Sequence, residues 1–467
     1  MASLRGQLLV AVVLLALAAA AEASGGRHRG RPSPRARFEL VRAAPGASLQ
    51  DRAIDDRLRH AYISGKLRRR AAEVGASEFA MPLTSGAYTG TGQYFVRFRV
   101  GTPAQPFVLV ADTGSDLTWV KCRGAGSASS RHSSSKDAPA GARVFRPAAS
   151  KTWAPIACSS DTCTSYVPFS LTNCSSPASP CSYDYRYKDG SAARGVVGTD
   201  SATIDLSGGR GGAEGKRAKL QGVVLGCTAS YDGQSFLSSD GVLSLGNSNI
   251  SFASRAAARF GGRFSYCLVD HLAPRNATSY LTFGAGGLDD AASSSASAPV
   301  AQTPLLLDRR MSPFYAVAVA AVHVAGEQLD IPSDVWDVEK NGGAILDSGT
   351  SLTILATPAY KAVVAALSKQ LAGLPRVSMD PFEYCYNWTA GAPEVPKLAV
   401  EFAGSARLEP PAKSYVIDAA PGVKCIGVQE GAWPGVSVIG NILQQEHLWE
   451  FDLRDRWLRF KHTRCTQ

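Results

Sequence analysis

The sequence lacks the short motifs that mark several common classes of enzyme. It has no Gly-x-Ser-x-Gly nucleophile elbow, no His-Glu-x-x-His helix and no glycine-rich phosphate loop ending in Lys-Ser or Lys-Thr. These motifs supply an exposed serine nucleophile, a pair of zinc-binding histidines, or backbone N–H groups around a phosphate. Nothing in the sequence therefore supports a serine hydrolase, a zinc protease or a nucleotide-binding protein.

Long apolar runs are missing beyond the first residues. After residue 23 no segment reaches the roughly 18 uninterrupted apolar residues of a membrane span, and Lys461–Gln467 is not a lipid-anchor signal. The leader has 14 apolar residues from Leu8 to Ala21 and ends in Ala21-Glu22-Ala23. We predict a signal peptide over residues 1–23 and a soluble product with no stable membrane anchor. An uncleaved anchor is the alternative.

Excess positive charge is confined to one segment of the chain. The formal net charge is +10, but residues 24–80 carry 13 Lys and Arg against 6 Asp and Glu, which leaves residues 81–467 nearly neutral. A nucleic-acid-binding protein carries its basic residues over the folded surface, so nucleic acid is not an expected partner. We predict a basic prosegment over residues 24–80, with a disordered basic leader as the alternative.

Few segments have a helical pattern, and the 45 Gly and 26 Pro indicate short strands joined by turns. The run Tyr94–Val100 alternates as a strand does, and folded structure is expected to begin there. One helix is predicted from an N-cap at Thr357 to a stop at Gly373. We therefore predict an all-β fold with a few short helices. Its two lobes would be residues 81–297 and 298–467, joined near Gly284–Ser297.

The ten cysteines lack zinc-ribbon spacing, so a disulfide set is expected behind a signal peptide, and metal binding is the weaker alternative. Ten thiols allow hundreds of complete pairings, so arithmetic alone leaves the connectivity open. Four glycosylation sequons fit the same compartment, at Asn173, Asn249, Asn276 and Asn387.

One motif occurs twice, 235 residues apart. Asp112-Thr113-Gly114-Ser115 and Asp347-Ser348-Gly349-Thr350 each follow an apolar strand-like run and precede another. An Asp at the end of an apolar strand is costly to bury unless donors surround it. The glycine lets the backbone bend close to the carboxylate, and the hydroxyl residues supply donors.

Two such loops that face one another would bring two carboxylates into contact. Like charges at that distance cannot both ionise, so the pair holds one proton. One carboxylate then takes a proton from water while the other polarises an amide carbonyl. This chemistry needs no metal, cofactor or covalent intermediate.

With both motifs in order, residues 81–467 resemble the pepsin-type aspartic proteases, in the plant nepenthesin-like branch and closest to the NANA-type members. The resemblance implies a bilobal pepsin-like fold and an acid-favoured endopeptidase that binds peptide or protein substrates, as a monomer. The main alternative is a catalytically silent pepsin-fold binding protein or glycosidase inhibitor. Such relatives typically lose one carboxylate, whereas this chain retains both.

The resemblance also assigns roles to single residues. Asp112 and Asp347 match the catalytic pair, and Ser115 and Thr350 match hydroxyls that bond to those carboxylates. The remaining matches are the loop-tying Thr113 and Ser348, the motif glycines Gly114 and Gly349, the flap residues Tyr187, Asp189 and Gly190, and the supporting Trp119. Tyr187 also fits an ordinary cross-strand aromatic, and Trp119 an ordinary core residue.

The chain departs from the family pattern at two positions. The strand that packs against each catalytic loop ends in two apolar residues and Gly, as in Val438-Ile439-Gly440, but the first half has Ser244 in place of that Gly. The geometry of the first loop is therefore in question. Lys188 stands beside the flap tyrosine where many relatives have Gly, which affects substrate access or charge preference.

The same resemblance implies a disulfide pairing. Relatives carry three cysteines after the first catalytic loop and this chain keeps only Cys122, so Cys122–Cys227 is expected. The other predicted pairs are Cys158–Cys181 enclosing Cys163–Cys174, then Cys267–Cys465 and Cys385–Cys425. The signal peptide predicts the secretory pathway, with an extracellular or vacuolar endpoint, and the resemblance to NANA-type members adds a plastid as an alternative.

Overall fold

A computed structural model describes residues 35–42, 56, 60, 94–123, 143–167, 176–186, 192–207, 217–232, 239–270, 273, 279–284, 288, 299–390 and 393–465. Residues Pro34–Gln467 belong to one compact unit. Strands are the main regular structure of the described chain and helices are few and short, which confirms the all-β prediction. Among the described residues, no helix has the length and apolar content of a membrane span.

The strands are short and follow one another along both halves of the chain. In the first half they are β1 (Arg35–Arg42), β2 (Tyr94–Val100), β3 (Gln105–Asp112), β4 (Trp119–Lys121), β5 (Ala154–Pro155), β6 (Ser182–Arg186), β7 (Ala192–Ser207), β8 (Arg217–Asp232), β9 (Gly241–Ser244), β10 (Arg263–Cys267) and β11 (Ser279–Phe283). In the second half they are β12 (Ala301–Leu306), β13 (Tyr315–Val317), β14 (Val319–Val324), β15 (Glu327–Gln328), β16 (Ala344–Asp347), β17 (Thr353–Ala356), β18 (Arg376–Met379), β19 (Phe382–Asn387), β20 (Leu398–Phe402), β21 (Ala406–Leu408), β22 (Val416–Ala420), β23 (Val423–Ile426), β24 (Val428–Gly431), β25 (Ser437–Gly440), β26 (His447–Asp452) and β27 (Trp457–His462).

Helices α1 (Phe252–Arg259) and α2 (Thr357–Gln370) pack against these strands. The predicted helix is α2, but its N-cap is Ala356 rather than Thr357. The Thr357 hydroxyl instead donates to the Gly431 carbonyl at 2.8 Å, which fastens α2 to β24. Shorter helical turns cover Pro147–Ala149, Thr162–Tyr166, Arg309–Met311, Ser333–Trp336, Val338–Lys340, Trp388–Ala390 and Ala412–Ser414.

The two halves repeat one strand arrangement. In the first half β9 is parallel to β3 and antiparallel to β4, and β4 is parallel to β8. In the second half β25 is parallel to β16 and antiparallel to β17, and β17 is parallel to β24. The repeated sequence motif therefore reflects a repeated structural unit. Strands β10 and β26 pair across the two halves.

Folded structure begins earlier than the expected start at Tyr94, because β1 lies within the predicted prosegment. β1 pairs with β11 along one edge and with β2 and β7 along the other. A strand bonded on both edges is an interior part of a sheet. The basic composition of this segment concealed it, because backbone pairing depends on neighbouring strands rather than on local hydrophobicity. The domain boundaries at residues 80 and 297 remain predictions.

Three predicted disulfides are present: Cys122–Cys227, Cys267–Cys465 and Cys385–Cys425. The predicted pairs Cys158–Cys181 and Cys163–Cys174 are wrong, because Cys163 bonds to Cys181. Residues 156–158 run antiparallel to residues 179–181, and this register places Cys181 opposite Ile156 rather than Cys158. The helical turn Thr162–Tyr166 then brings Cys163 onto Cys181. Cys158 is also disulfide-bonded, and Cys174 lies outside the described residues.

Peptide mapping without reduction tests this arrangement. We expect a fragment that links Cys163 to Cys181, and another that links the two remaining cysteines, Cys158 and Cys174. Recovery of Cys158 joined to Cys181 would restore the nested pairing and contradict the structure.

A buried histidine makes the second half sensitive to acid. His447 on β26 is 3% exposed, and its Nδ1–H donates to the Gln445 carbonyl at 2.9 Å. Burial lowers the pKa of His447 to about 4; the bond to Gln445 opposes this shift and nearby His462 adds to it. The unfolded chain takes up this proton near pH 6.5, so stability falls as pH drops from about 6.5 towards 4. The loss reaches about 3 kcal/mol at most.

We expect His447→Gln to reduce this acid sensitivity. The fall in Tm between pH 7 and pH 4 should be smaller in the variant than in the wild type, even if its Tm at pH 7 is lower through lost packing. His323→Gln, which replaces a half-buried histidine on β14, is the matched control. Parallel Tm profiles for the wild type and His447→Gln would show that this histidine does not carry the effect.

Candidate active site

The two motif aspartates occupy equivalent places in the repeated unit. Asp112 is the last residue of β3 and stands opposite Ser244 of β9, while Asp347 ends β16 and stands opposite Gly440 of β25. Both aspartates are fully buried beneath loops that leave these strands. The apolar runs before them are mostly buried in the core.

Backbone and hydroxyl donors surround the carboxylates. Asp112 Oδ1 accepts the Gly114 N–H at 2.9 Å, and Asp347 Oδ1 accepts the Gly349 N–H at the same distance. Thr350 donates its hydroxyl to Asp347 Oδ2 at 2.7 Å, as expected. The second expected hydroxyl bond differs in its acceptor.

Ser115 was expected to bond to the Asp112 carboxylate, but its hydroxyl donates to the Asp112 main-chain carbonyl at 3.2 Å. The serine therefore closes the turn of the first loop rather than solvating the charge. Serine and threonine hydroxyls bond equally well to nearby backbone carbonyls, so the sequence alone does not select the acceptor.

Thr113 and Ser348 tie the two loops together, as expected. The Thr113 N–H donates to Ser348 Oγ at 3.1 Å, and the Ser348 N–H donates to Thr113 Oγ1 at 2.9 Å. Each hydroxyl then donates onward, from Thr113 to the Leu346 carbonyl at 3.4 Å and from Ser348 to the Ala111 carbonyl at 3.0 Å. These four reciprocal bonds hold the residues next to both aspartates in register.

The substitution of Ser for Gly at position 244 is accommodated by a local hydrogen-bond network. Ser244 Oγ bonds to Thr118 Oγ1 at 2.8 Å and accepts the Phe252 N–H at 3.1 Å. At the equivalent Gly440 a Cβ atom would lie 2.4 Å from the Leu352 carbonyl oxygen, so no side chain fits there. The first loop therefore leaves more room than the second.

Two tyrosines support the site and were not identified from the sequence. Tyr315 on β13 donates its hydroxyl to the Leu245 carbonyl at 2.8 Å, and the Leu245 N–H donates to the Asp112 carbonyl at 2.8 Å. Tyr266 on β10 donates to Gln444, and burial together with the charge of Asp347 raises the pKa of Tyr266 well above its usual value. Neither tyrosine lies near a motif in the sequence, so no local signal marks it.

The flap residues Tyr187, Asp189 and Gly190 lie outside the described residues, as does Lys188. Strands β6 and β7 on either side of them are antiparallel, with Arg186 paired to Ala192. Trp119, assigned to support the flap, is 1% exposed and packs in a core cluster that also contains Tyr183. Within the described part of the chain, no group of three or more His, Cys, Asp or Glu is placed to hold a metal ion.

Two family profiles match most of the chain. They are described as the xylanase inhibitor N-terminal domain, over residues 94–285, and the xylanase inhibitor C-terminal domain, over residues 314–462. The chain is 32% identical to aspartyl protease family protein 2 of Arabidopsis thaliana, over 87% of this chain and 77% of the relative. It is 27% identical to aspartic proteinase nepenthesin-2 of Nepenthes gracilis, over 98% of this chain and 97% of the relative.

Solved structures share the fold at lower sequence identity. Conglutin gamma, a basic 7S globulin from lupine seeds, superposes with a TM-score of 0.63 at 17% identity, over 93% of this chain and 96% of that one. Basic 7S globulin from soybean superposes with a TM-score of 0.58 at 20% identity, over 80% of this chain and 92% of that one. These neighbours confirm the predicted fold.

The first loop leaves room for a side chain where the second does not, so the two equivalent positions should respond differently to mutation. Gly440→Ala should destabilise the protein by about 1–3 kcal/mol, because the new Cβ overlaps the Leu352 carbonyl. Ser244→Gly should cost about 1–2 kcal/mol, because the hydrogen bonds of its hydroxyl to Thr118 and to the Phe252 N–H are both lost. Urea unfolding of both variants measures the difference. A neutral Gly440→Ala would contradict the packing described for β25.

Proposed function

Since the chain belongs to the pepsin-like aspartic protease family, we propose that it is an acid-favoured aspartic endopeptidase. The observation that carries the proposal is the set of reciprocal bonds between Thr113 and Ser348, which holds the loops of Asp112 and Asp347 against one another. Both aspartates are present and each accepts an N–H from its own loop. The site therefore retains the parts that acid–base hydrolysis requires.

The proposed reaction uses one water molecule between the two carboxylates. The ionised carboxylate takes a proton from the water molecule while the water oxygen attacks the carbon of the peptide carbonyl. The protonated carboxyl group donates a hydrogen bond to the carbonyl oxygen. Collapse of the tetrahedral intermediate transfers a proton to the leaving nitrogen and breaks the C–N bond. The reaction needs a singly protonated pair, so the rate should fall as rising pH ionises both groups.

Substrate is proposed to lie as an extended peptide under the flap residues Tyr187, Asp189 and Gly190. The antiparallel pairing of β6 with β7 supports a hairpin at this position. Trp119 would support this hairpin from the core cluster that it shares with Tyr183, a residue of β6.

The chain is proposed to travel through the secretory pathway as a precursor and to act outside the cell or in the vacuole, with a plastid as the alternative. Four described disulfides support an oxidising compartment. Glycosylation is proposed at four sequons, of which Asn249 is exposed and Asn387 is half-buried. Asn173 and Asn276 lie outside the described residues. Signal cleavage and a monomeric state remain predictions.

A second candidate is inhibition of a glycosidase, because the matching family profiles are described by xylanase inhibition. The likeness to seed globulins shows that the fold also occurs in proteins not named as proteases. The two intact catalytic motifs favour hydrolysis over this alternative, since binding to another protein does not require paired aspartates.

Replacing either catalytic carboxylate should abolish peptide hydrolysis. We expect Asp112→Asn and Asp347→Asn each to lower turnover of a protein mixture by about 10²–10⁴-fold, because an amide neither accepts the water proton nor shares one. A transition-state-mimicking aspartic-protease inhibitor should block the wild type. Activity is measured across acidic and neutral pH with the chain from which the predicted prosegment, residues 24–80, has been removed.

The matched control is Asp334→Asn, which removes a carboxylate that pairs with Lys340 at the surface, and it should keep nearly full activity. Near wild-type turnover in either catalytic variant would refute the assignment of the pair. Inhibition of a xylan-degrading enzyme by a wild-type chain that cleaves no peptide would favour the second candidate.

A further inference from the structure

A cavity lies between helix α2, the turn that joins β18 to β19, and strand β24. Its volume is about 300 Å³, which is at the lower end of the range for small-molecule sites. Among the residues that line it are Tyr360 of α2, Phe382 and Glu383 of β19, and Val428 and Glu430 of β24. Within the described chain, no lining residue belongs to either aspartate motif. The cavity is therefore built from other residues than the candidate active site.

The cavity combines apolar walls with two charged groups at the protein surface. Tyr360, Phe382 and Val428 are each 6% exposed, whereas Glu383 and Glu430 are exposed. The apolar side chains therefore form the inner wall, and the carboxylates lie on the side that faces solvent. Such a lining favours a ligand that has an apolar part and a charged or polar end.

The Glu383 carboxylate is held by a hydrogen bond from the cavity wall. The Tyr360 hydroxyl donates to Glu383 Oε2 at 2.9 Å, and Arg376 donates to the Glu383 main-chain carbonyl at 2.7 Å. The Arg376 guanidinium itself lies over the ring of Tyr384, 4.5 Å from its centroid. Burial raises the pKa of Tyr360, and the hydrogen bond to Glu383 and the charges of Glu383 and Glu430 raise it further. Both carboxylates thus lie close to this hydroxyl, which stays protonated as a donor.

The two carboxylates have no cationic partner of their own. Among the described residues, neither Glu383 nor Glu430 forms an ion pair, although exposed acids elsewhere do, as Asp418 does with Lys424. A cleft lined by charges of one sign attracts ions of the opposite sign. Apolar walls strengthen this attraction because they exclude water. The cavity is therefore complementary to a positive charge.

The kind of cation follows from the remaining walls. Ca²⁺ needs many oxygen ligands and Mg²⁺ keeps several of its waters. No group of three or more His, Cys, Asp or Glu is placed to supply such ligands in the part of the chain that the structure describes. Phe382 and Val428 instead offer apolar surface to methylene groups. Lysine and arginine side chains carry an alkyl stem of this kind and keep their charged head in water, so the lining fits an organic cation better than a metal ion.

We propose that this cavity binds an organic cation with an alkyl stem, as found in the side chain of a lysine or arginine on a partner protein. Glu383 and Glu430 bind the charged head, and Phe382 and Val428 contact the stem. Free polyamines share this chemistry, and the experiment separates the two sources. The site does not depend on the proposed protease function, because none of its residues takes part in the proposed reaction.

Equilibrium titration of the full chain with small probes tests the site without using catalysis. We expect Nα-acetyl-lysine methylamide to bind at least about tenfold more tightly than Nα-acetyl-norleucine methylamide, which has a similar stem but no charge. Spermidine is the probe for a free polyamine, and the tighter of the two cations identifies the source. If neither cation binds more tightly than the norleucine derivative, the proposal is overturned.

Substitutions at the two carboxylates locate the binding. Glu383→Gln and Glu430→Gln keep the shape of the side chain and should each weaken binding of the tighter cation by roughly two- to fivefold, the usual effect of one exposed ion pair. The double variant should lose about tenfold, with a Tm measurement to verify that it folds. Glu327→Gln, which removes an exposed carboxylate on β15, is the matched control and should bind as the wild type does. Unchanged affinity in the double variant would overturn the site, and a loss in Asp112→Asn instead would assign the binding to the paired aspartates.

Discussion

The reciprocal hydrogen bonds between Thr113 and Ser348 are the interaction on which the candidate site depends. Each residue donates its N–H to the other's hydroxyl, and each hydroxyl donates to a carbonyl of the opposite loop. This pattern satisfies buried backbone groups that neither loop can pair by itself. The two loops, which come from distant parts of the chain, are therefore held in a fixed position relative to each other. The aspartates that precede Thr113 and Ser348 are fixed with them.

The strands behind the loops support this contact and hold the aspartates in place. β9 and β25 run between the two strands of each loop, so that Ser244 and Gly440 stand opposite the aspartates. The two halves of the chain fill this equivalent position differently. Gly440 allows backbone to approach backbone, whereas Ser244 fills the equivalent space and bonds to Thr118 and Phe252. Equivalent positions in a repeat can thus differ when the neighbouring groups differ with them.

The predicted prosegment, residues 24–80, takes part in the fold more closely than its basic composition implies. β1 is hydrogen-bonded on both edges, and the Asp56 carboxylate accepts two backbone N–H groups that follow the Asp347 loop. Both attachments use backbone groups of the body as partners. Backbone partners are present whatever the side chains are, so these contacts leave little trace in the sequence of the body.

The sequence by itself predicted the all-β fold class from the Gly and Pro residues spread along the chain, and the aspartate pair from two short contiguous motifs with a strong local requirement. The resemblance carried by these motifs then predicted that Thr113 and Ser348 tie the loops together. Asp112 and Asp347 need donors at fixed short spacing, and Thr113 and Ser348 lie beside them. Only the tertiary structure decided which acceptor Ser115 uses, that Cys163 bonds to Cys181, and that Tyr315 reaches the backbone of Leu245. These outcomes depend on strand register and on contacts between residues far apart in the chain. Many alternative partners have similar local chemistry, and the tertiary packing decides which one is used.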